Sequence, residues 1–246
     1  MSKISIIVEA RMGSTRLPGK VMKKILNQPV LQLQIDRLKQ VKLVDEIIVA
    51  TTKKKTDLKI VNLAKKNKIK YFQGDEDNVM KRVKNAAEKF KTKVIVSITG
   101  DCPLIDPAII DQAIGLYKIN NVDYVSNCHV RSFPDGMDVQ VYSLKSLRKS
   151  YRMTTSKSDR EHVTLHIRKN PKIFKTIHFQ ANEEEYWPDL GLTLDEEKDF
   201  ILIKKVFQKF KNKRKVFSLI SILQLLRKNN DLLKINKKVK RKIVKF

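Results

Sequence analysis

The chain has 246 residues, 41% of them hydrophobic, with 52 Lys and Arg against 26 Asp and Glu for a formal net charge of +26. This length supports one sizeable core with a smaller appendage. No apolar run approaches the roughly 18 residues of a membrane span, and two cysteines, Cys102 and Cys128, argue against a disulfide framework.

The N-terminus has one lysine, then a strand-like run and no small-residue cleavage site, so a cytoplasmic protein is expected. Residues 4–9 (I-S-I-I-V-E) read as a buried strand leading into R-M-G-S-T-R-L-P-G-K, Arg11 to Lys20. Gly13 and Gly19 let a backbone approach a ligand closely, Ser14 adds a hydroxyl, and Arg11, Arg16 and Lys20 supply positive charge. A polyphosphate suits that loop; a plain basic surface turn is the alternative.

A helix is expected over 29–39, a strand over 46–51, a helix over 56–66 and a short strand over 69–72. A further helix spans 78–90 with Asp77 as its N-cap, followed by a strand over 93–98. Pro107 marks the first turn of a helix reaching Tyr117, and 123–126 reads as a strand. Strand-to-helix units in series predict an α/β fold, Rossmann-like, with a mostly parallel sheet and helices on both faces. In such sheets ligands lie beyond the carboxyl ends of the strands, where both Arg11–Lys20 and Thr99–Asp106 fall.

The pattern changes near Asn127. A small inserted subdomain or lid is expected over about 128–171, with a strand at 139–142 and helices at 144–151 and 159–169. Strands at 173–179 and 190–194, the second returning to the sheet, precede a helix over 196–210. Residues 1–210 then form the main domain and 211–246 a basic helical tail.

Two further stretches carry chemistry. In T-G-D-C-P-L-I-D (Thr99–Asp106), Asp101 follows a buried strand and a glycine, placed to hold a hard cation, while Asp106 suits an N-cap. In L-T-L-D-E-E-K-D-F (Leu192–Phe200), Asp195 offers a second carboxylate at a strand's end, or an N-cap for the following helix. Two aspartates with a basic phosphate loop make a consistent constellation for magnesium and a nucleoside triphosphate. His162 and His166 have a spacing that zinc sites use, but no third ligand stands near in sequence and a polar helix face is the better reading. Cys102 has no dedicated base beside it, and Tyr186 and Trp187 read as anchors of the strand region.

These three stretches, in this order, resemble the sugar cytidylyltransferases that charge acidic sugars with CTP, above all the branch named for spore coat polysaccharide biosynthesis. The octulosonate and acylneuraminate cytidylyltransferases are more distant. V-D-E-I-I-V-A-T-T (44–52), D-Y-V-S-N (123–127), F-P-D-G-M-D-V-Q-V (133–141) and R-E-H-V-T (160–164) fit the same branch.

The resemblance implies a nucleotide-diphospho-sugar transferase fold, CTP and an acidic sugar as substrates, Mg2+ as cofactor, and a homodimer formed through the inserted region. It implies nucleotide contacts at Ala10, Arg11, Met12, Gly13, Ser14, Arg16, Lys20, Thr99 and Gly100, with Arg11, Lys20 and Asp101 catalytic. Asp101 and Asp195 match the metal-binding aspartates; Arg131, Asp135, Asp138, Arg160 and His162 lie where the family receives its sugar. Thr99 and Cys102 depart from the octulosonate enzymes, which carry glutamine and glutamate there, so that particular sugar does not follow.

Two other classes compete. A glycosyltransferase would share this fold type, though the aspartates of D-C-P-L-I-D lack its D-x-D spacing. The basic surface, densest over Lys234–Lys245, raises nucleic-acid binding. Lysines spread through nearly every segment and only 7% aromatics argue against a stacking platform, so no specific nucleic-acid partner and no membrane association is expected.

Overall fold

The computed structural model describes residues 2–211 and 217–241. Strand β1 (Ile4–Glu9) enters the basic loop, which ends in a small hairpin of β2 (Lys24–Ile25) and β3 (Gln28–Pro29). Helix α1 (Val30–Leu38), β4 (Glu46–Thr52), α2 (Leu58–Lys66), β5 (Lys70–Gly74), α3 (Val79–Lys89), β6 (Val94–Thr99) and α4 (Pro107–Ile119) alternate along the next stretch. Then come β7 (Tyr124–Ser126), β8 (Gln140–Ser143), α5 (Leu144–Met153), α6 (Lys157–Glu161), α7 (Leu165–Lys169) and β9 (Thr176–His178). Helices α8 (Glu197–Lys209), α9 (Leu219–Arg227) and α10 (Asn230–Lys234) complete the described residues.

Seven strands form one sheet in the order β5-β4-β1-β6-β8-β7-β9. β5, β4, β1 and β6 pair in parallel, β8 runs antiparallel to β6 and β7, and β7 pairs with β9 in parallel. The mostly parallel α/β fold is thus as expected. Alternation along the strands puts helices on both faces. Ile6 and Val8 pack with α1, α4, α8 and α9, while Ile7 of the same strand packs with α3 and α5.

Several local expectations need correction. Asn78, not Asp77, caps α3 through Lys81 N–H; Asp75 Oδ1 accepts the Asp77 and Asn78 amides and tightens that turn. The helix expected over 159–169 divides into α6 and α7, because Val163 turns to a φ of 36° where β-branched Val163 and Thr164 support a helix weakly. Residues 190–194 form no strand of the sheet. Their backbone groups bond to loops instead: Asp135 N–H to Leu190 O, Leu192 N–H to Asp135 O, and Leu194 N–H to Asp101 O.

Of the segment 128–171, β8 lies within the central sheet and α5 packs on α3. Beyond residue 210, α9 packs into the main core through Leu219, Ile222, Leu223 and Leu226. Lys242 and Lys245 of the basic tail lie outside the described residues. No described helix is long and apolar enough to cross a membrane.

Candidate active site

The site begins where β1 and β6 end side by side. Gly100 N–H donates to Glu9 O at 2.8 Å, so the two following loops start in contact. A Cβ on Gly100 would stand 2.9 Å from the Ala10 Cβ and 3.0 Å from Glu9 O, closer than carbon atoms pack. Only glycine fits at that approach, and it aims the next residue, Asp101, across the end of the sheet.

The β1 loop is anchored from below by a residue that the sequence did not single out. Asp57 is 1% exposed; it accepts the Met12 N–H at 2.8 Å and the hydroxyl of Thr52 at the end of β4. Met12 O in turn accepts the Ser14 and Gly19 amides, both at 2.9 Å, closing the loop on itself. Ser14 Oγ accepts the Leu17 N–H at 3.4 Å.

From this loop Lys20 reaches inward. Its Nζ lies 2.7 Å from Asp101 Oδ2 and 3.0 Å from Asp195 Oδ1. Arg16 closes the far side, with Nη2 at 2.9 Å from Asp195 Oδ2. Asp195 does not cap α8: Glu196 is the N-cap, in a capping box with Asp199. Asp195 is therefore free to turn its carboxylate toward the basic loop.

Charge states follow from these contacts. Burial disfavours the Lys20 ammonium, but Asp101 and then Asp195 outweigh it and hold its pKa above the usual lysine value. Burial likewise raises Asp101, and the nearby Lys20 overcomes it, holding Asp101 below the usual carboxylate value. Both groups are charged at neutral pH. Cys102 is the opposite case: burial, reinforced by Asp101, pushes its thiol well above the usual value and suppresses the thiolate.

The remaining expected residues divide into two groups. Arg11 turns to the other side of its loop, 4.0 Å from Glu76, and lines a cavity of about 620 Å3. Asn78, Thr155, Lys157, Arg160 and Glu161 line it as well, whereas Lys20, Asp101 and Asp195 do not. Arg160 is held by stacking 3.5 Å over the Tyr151 ring and by donating to Tyr151 O at 2.8 Å.

Arg131, Asp135 and Asp138 form a second cluster. Arg131 Nη1 lies 2.7 Å from Asp138 and 3.7 Å from Asp135. Asp135 Oδ1 accepts the Thr193 hydroxyl at 2.9 Å, two residues from Asp195, so the F-P-D-G-M-D turn abuts the main constellation. Gly136 (φ 107°) permits this: a Cβ there would stand 2.8 Å from the Leu192 carbonyl carbon.

His162 is exposed at the end of α6 and away from these contacts, while His166 faces Asp159 at 3.4 Å. They do not share a helix face. Thr99 contributes its carbonyl to Gln34 Nε2 (2.7 Å), a structural contact, while its side chain reaches Cys102. Trp187 packs against the core under Arg227, whereas Tyr186 is 54% exposed and anchors nothing comparable.

Glu9 was also missed. Burial raises its carboxyl pKa against the pull of Arg82, and Ser97 Oγ donates to it at 2.9 Å.

Two acidic side chains thus converge on one cation beside a basic loop, at the carboxyl edge of a mostly parallel sheet whose fold is of the nucleotide-diphospho-sugar transferase type. Residues 5–239 match the cytidylyltransferase family model, and the chain belongs to that family. An uncharacterised protein of Methanocaldococcus jannaschii is 36% identical, over 98% of this chain and 97% of its own length. The spore coat polysaccharide biosynthesis protein SpsF of Bacillus subtilis is 31% identical, over 94% of this chain and 97% of its own. Among solved structures, a cytidylyltransferase from Leptospira borgpetersenii serovar Hardjo-bovis superposes with a TM-score of 0.90 at 31% identity, covering 100% of both chains.

Proposed function

We propose that this enzyme transfers CMP from CTP to the anomeric hydroxyl of an acidic sugar, releasing pyrophosphate, with magnesium as its cofactor, for a surface polysaccharide or glycan. The observation that carries this reading is the convergence of Asp101 and Asp195 on a single ammonium, within 3.0 Å of Lys20 Nζ. Two carboxylates that share one positive charge can share a divalent one. Magnesium takes one or two protein carboxylates and completes its shell with phosphate and water, so a pair of aspartates suits it. When bound there, magnesium supplies neutralisation and orientation of the triphosphate oxygens.

The chain's own residues do the rest. Released from the carboxylates, the Lys20 ammonium and the Arg16 guanidinium face the triphosphate and offset its charge as the bond to pyrophosphate breaks. The β1 loop, pinned by Asp57 at Met12, keeps Gly13 and Ser14 against the phosphates. Attack on the α-phosphorus by the sugar hydroxyl needs positioning more than covalent assistance from protein. Arg11 and Arg160, on the cavity wall, offer guanidinium groups to an acidic acceptor. The name of one relative, the spore coat polysaccharide biosynthesis protein SpsF, supports a role in polysaccharide synthesis.

A panel of nucleoside triphosphates against acidic sugars, read by pyrophosphate release with and without chelator, tests the reading. Release from CTP that needs a sugar and stops on chelation is expected. Release from every triphosphate alike, or release indifferent to chelation, would overturn it.

A further inference from the structure

Beyond α10 the chain returns to the active site. Asn236 is 5% exposed and donates through Nδ2 to Gly191 O (2.9 Å) and Asp199 Oδ1 (2.8 Å). Lys240 O lies 3.5 Å from Arg16 Nη1, whose other nitrogen holds Asp195. Arg241 then places its guanidinium against Gly191, where any Cβ would collide with it.

That guanidinium has a specific partner. Asp199 is fully buried, and Arg241 Nη2 and Nη1 reach its two oxygens at 2.6 and 3.1 Å. Asp199 Oδ2 also accepts the backbone amides of Asp195 (3.1 Å) and Glu196 (2.9 Å). Arg241 Nη1 further approaches Thr193 O at 3.4 Å, and its Nε stands 3.9 Å from Asp135 Oδ2. A single side chain, two residues past the family match at 5–239, thus touches the support of Asp195 on one side and the F-P-D-G-M-D turn on the other.

We propose that Arg241 is a positioning residue: by compensating the buried Asp199 carboxylate across Gly191, it fixes the main chain that presents Asp195 to Lys20. A buried carboxylate keeps its amide partners aligned only while hydrogen-bonded partners hold its two oxygens in place, and here Arg241 reaches both. Asp199 bonds directly to the Asp195 and Glu196 amides, and its influence on the Asp195 side chain passes through them. Groups that orient a ligating side chain without touching the reacting atoms typically change activity by about 10–100-fold when removed.

The turnover part of this inference rests on the nucleotidyl-transfer reading; the positional part does not. Hydrogen exchange of the peptide spanning 190–200 and steady-state pyrophosphate release from CTP would be compared in the full-length protein and in R241A and R241K. For R241A, exchange at Asp195 and Glu196 is expected to rise about tenfold while β1 and β6 stay protected, and kcat to fall about tenfold with KM for CTP within about twofold. R241K, which keeps the charge and loses the bidentate fork, should recover part of both. It carries the measurement if R241A does not fold.

Unchanged exchange at 195–196 in both variants would overturn the proposal. So would raised exchange with undiminished kcat, because the strap would then be packing alone. Raised local exchange in a protein whose wild type releases no pyrophosphate from any triphosphate would uphold the positional link and reject the transferase reading instead.

Discussion

Lys20 and Asp195, 175 residues apart in sequence, meet at 3.0 Å across the carboxyl edge of the sheet. The same ammonium meets Asp101 at 2.7 Å, so one lysine joins the ends of three separate chain segments. In isolation two facing carboxylates repel; Lys20 holds them together.

Replacing Lys20 by alanine removes that counter-charge and, on the proposed mechanism, a clamp on the triphosphate. Turnover is expected to fall by about 100-fold or more, as with loss of one electrostatic stabiliser of a transition state. Pyrophosphate release under saturating CTP measures it. Near-normal turnover in this variant would take the β1 loop out of the chemistry.

Acid sensitivity should show at the opposite edge of the sheet. Burial raises the Glu46 carboxyl, but its bonds to Lys3 (2.7 Å) and Lys70 (2.6 Å) override this and hold it below its ordinary 4.5. A group depressed on folding contributes stability above its unfolded pKa and loses that contribution as pH falls through the lower folded value. Glu46→Gln should therefore lower Tm by about 2 °C at pH 7, and the gap to wild type should close below pH 4.5. A gap that persists undiminished at the acid end would contradict the pairing.

Two glycines should be intolerant of a methyl group. Gly100→Ala drives a Cβ into Ala10 and Glu9 O, and Gly136→Ala adds a disfavoured φ to contact with Leu192. Each is expected to cost about 1–3 kcal/mol in urea unfolding. Gly115, within α4 and with nothing within 4 Å of its would-be Cβ, is the control: alanine there should stabilise by about 1 kcal/mol. Equal effects at all three would mean that the loop contacts carry no weight.

Cys102 sits beside Asp101, and its thiol is held protonated by burial. Cys102→Ala should keep most of the activity and cost about 1 kcal/mol of stability or less. Thiol alkylation in the folded wild type should be slow. Loss of turnover in the alanine variant with its fold intact would give Cys102 a role that its surroundings do not suggest.

Much of this was legible from residue order. Alternating strand-like and helical runs gave the parallel α/β core, because apolar period and turn residues act locally. Asp106 caps α4 through Ala108 N–H, as its place before Pro107 implied. The capping box Glu196–Asp199 also had a readable signal, an acidic residue three positions into a helix, yet its ties to Asn236 and Arg241 did not. Residues 190–194 look like a strand because Leu-Gly-Leu-Thr-Leu alternates, and they fail to become one because their partners are loops.

The amino-acid order alone determined most of the elements, the basic loop after β1 and the two acidic stretches, since those depend on side-chain period and neighbours a few positions apart. Tertiary structure decided which charges meet: Lys20 with Asp101 and Asp195, Arg11 with the cavity instead, and Arg241 with Asp199. Such pairings turn on distances of a few ångströms between segments up to 175 residues apart, and no local propensity carries that information.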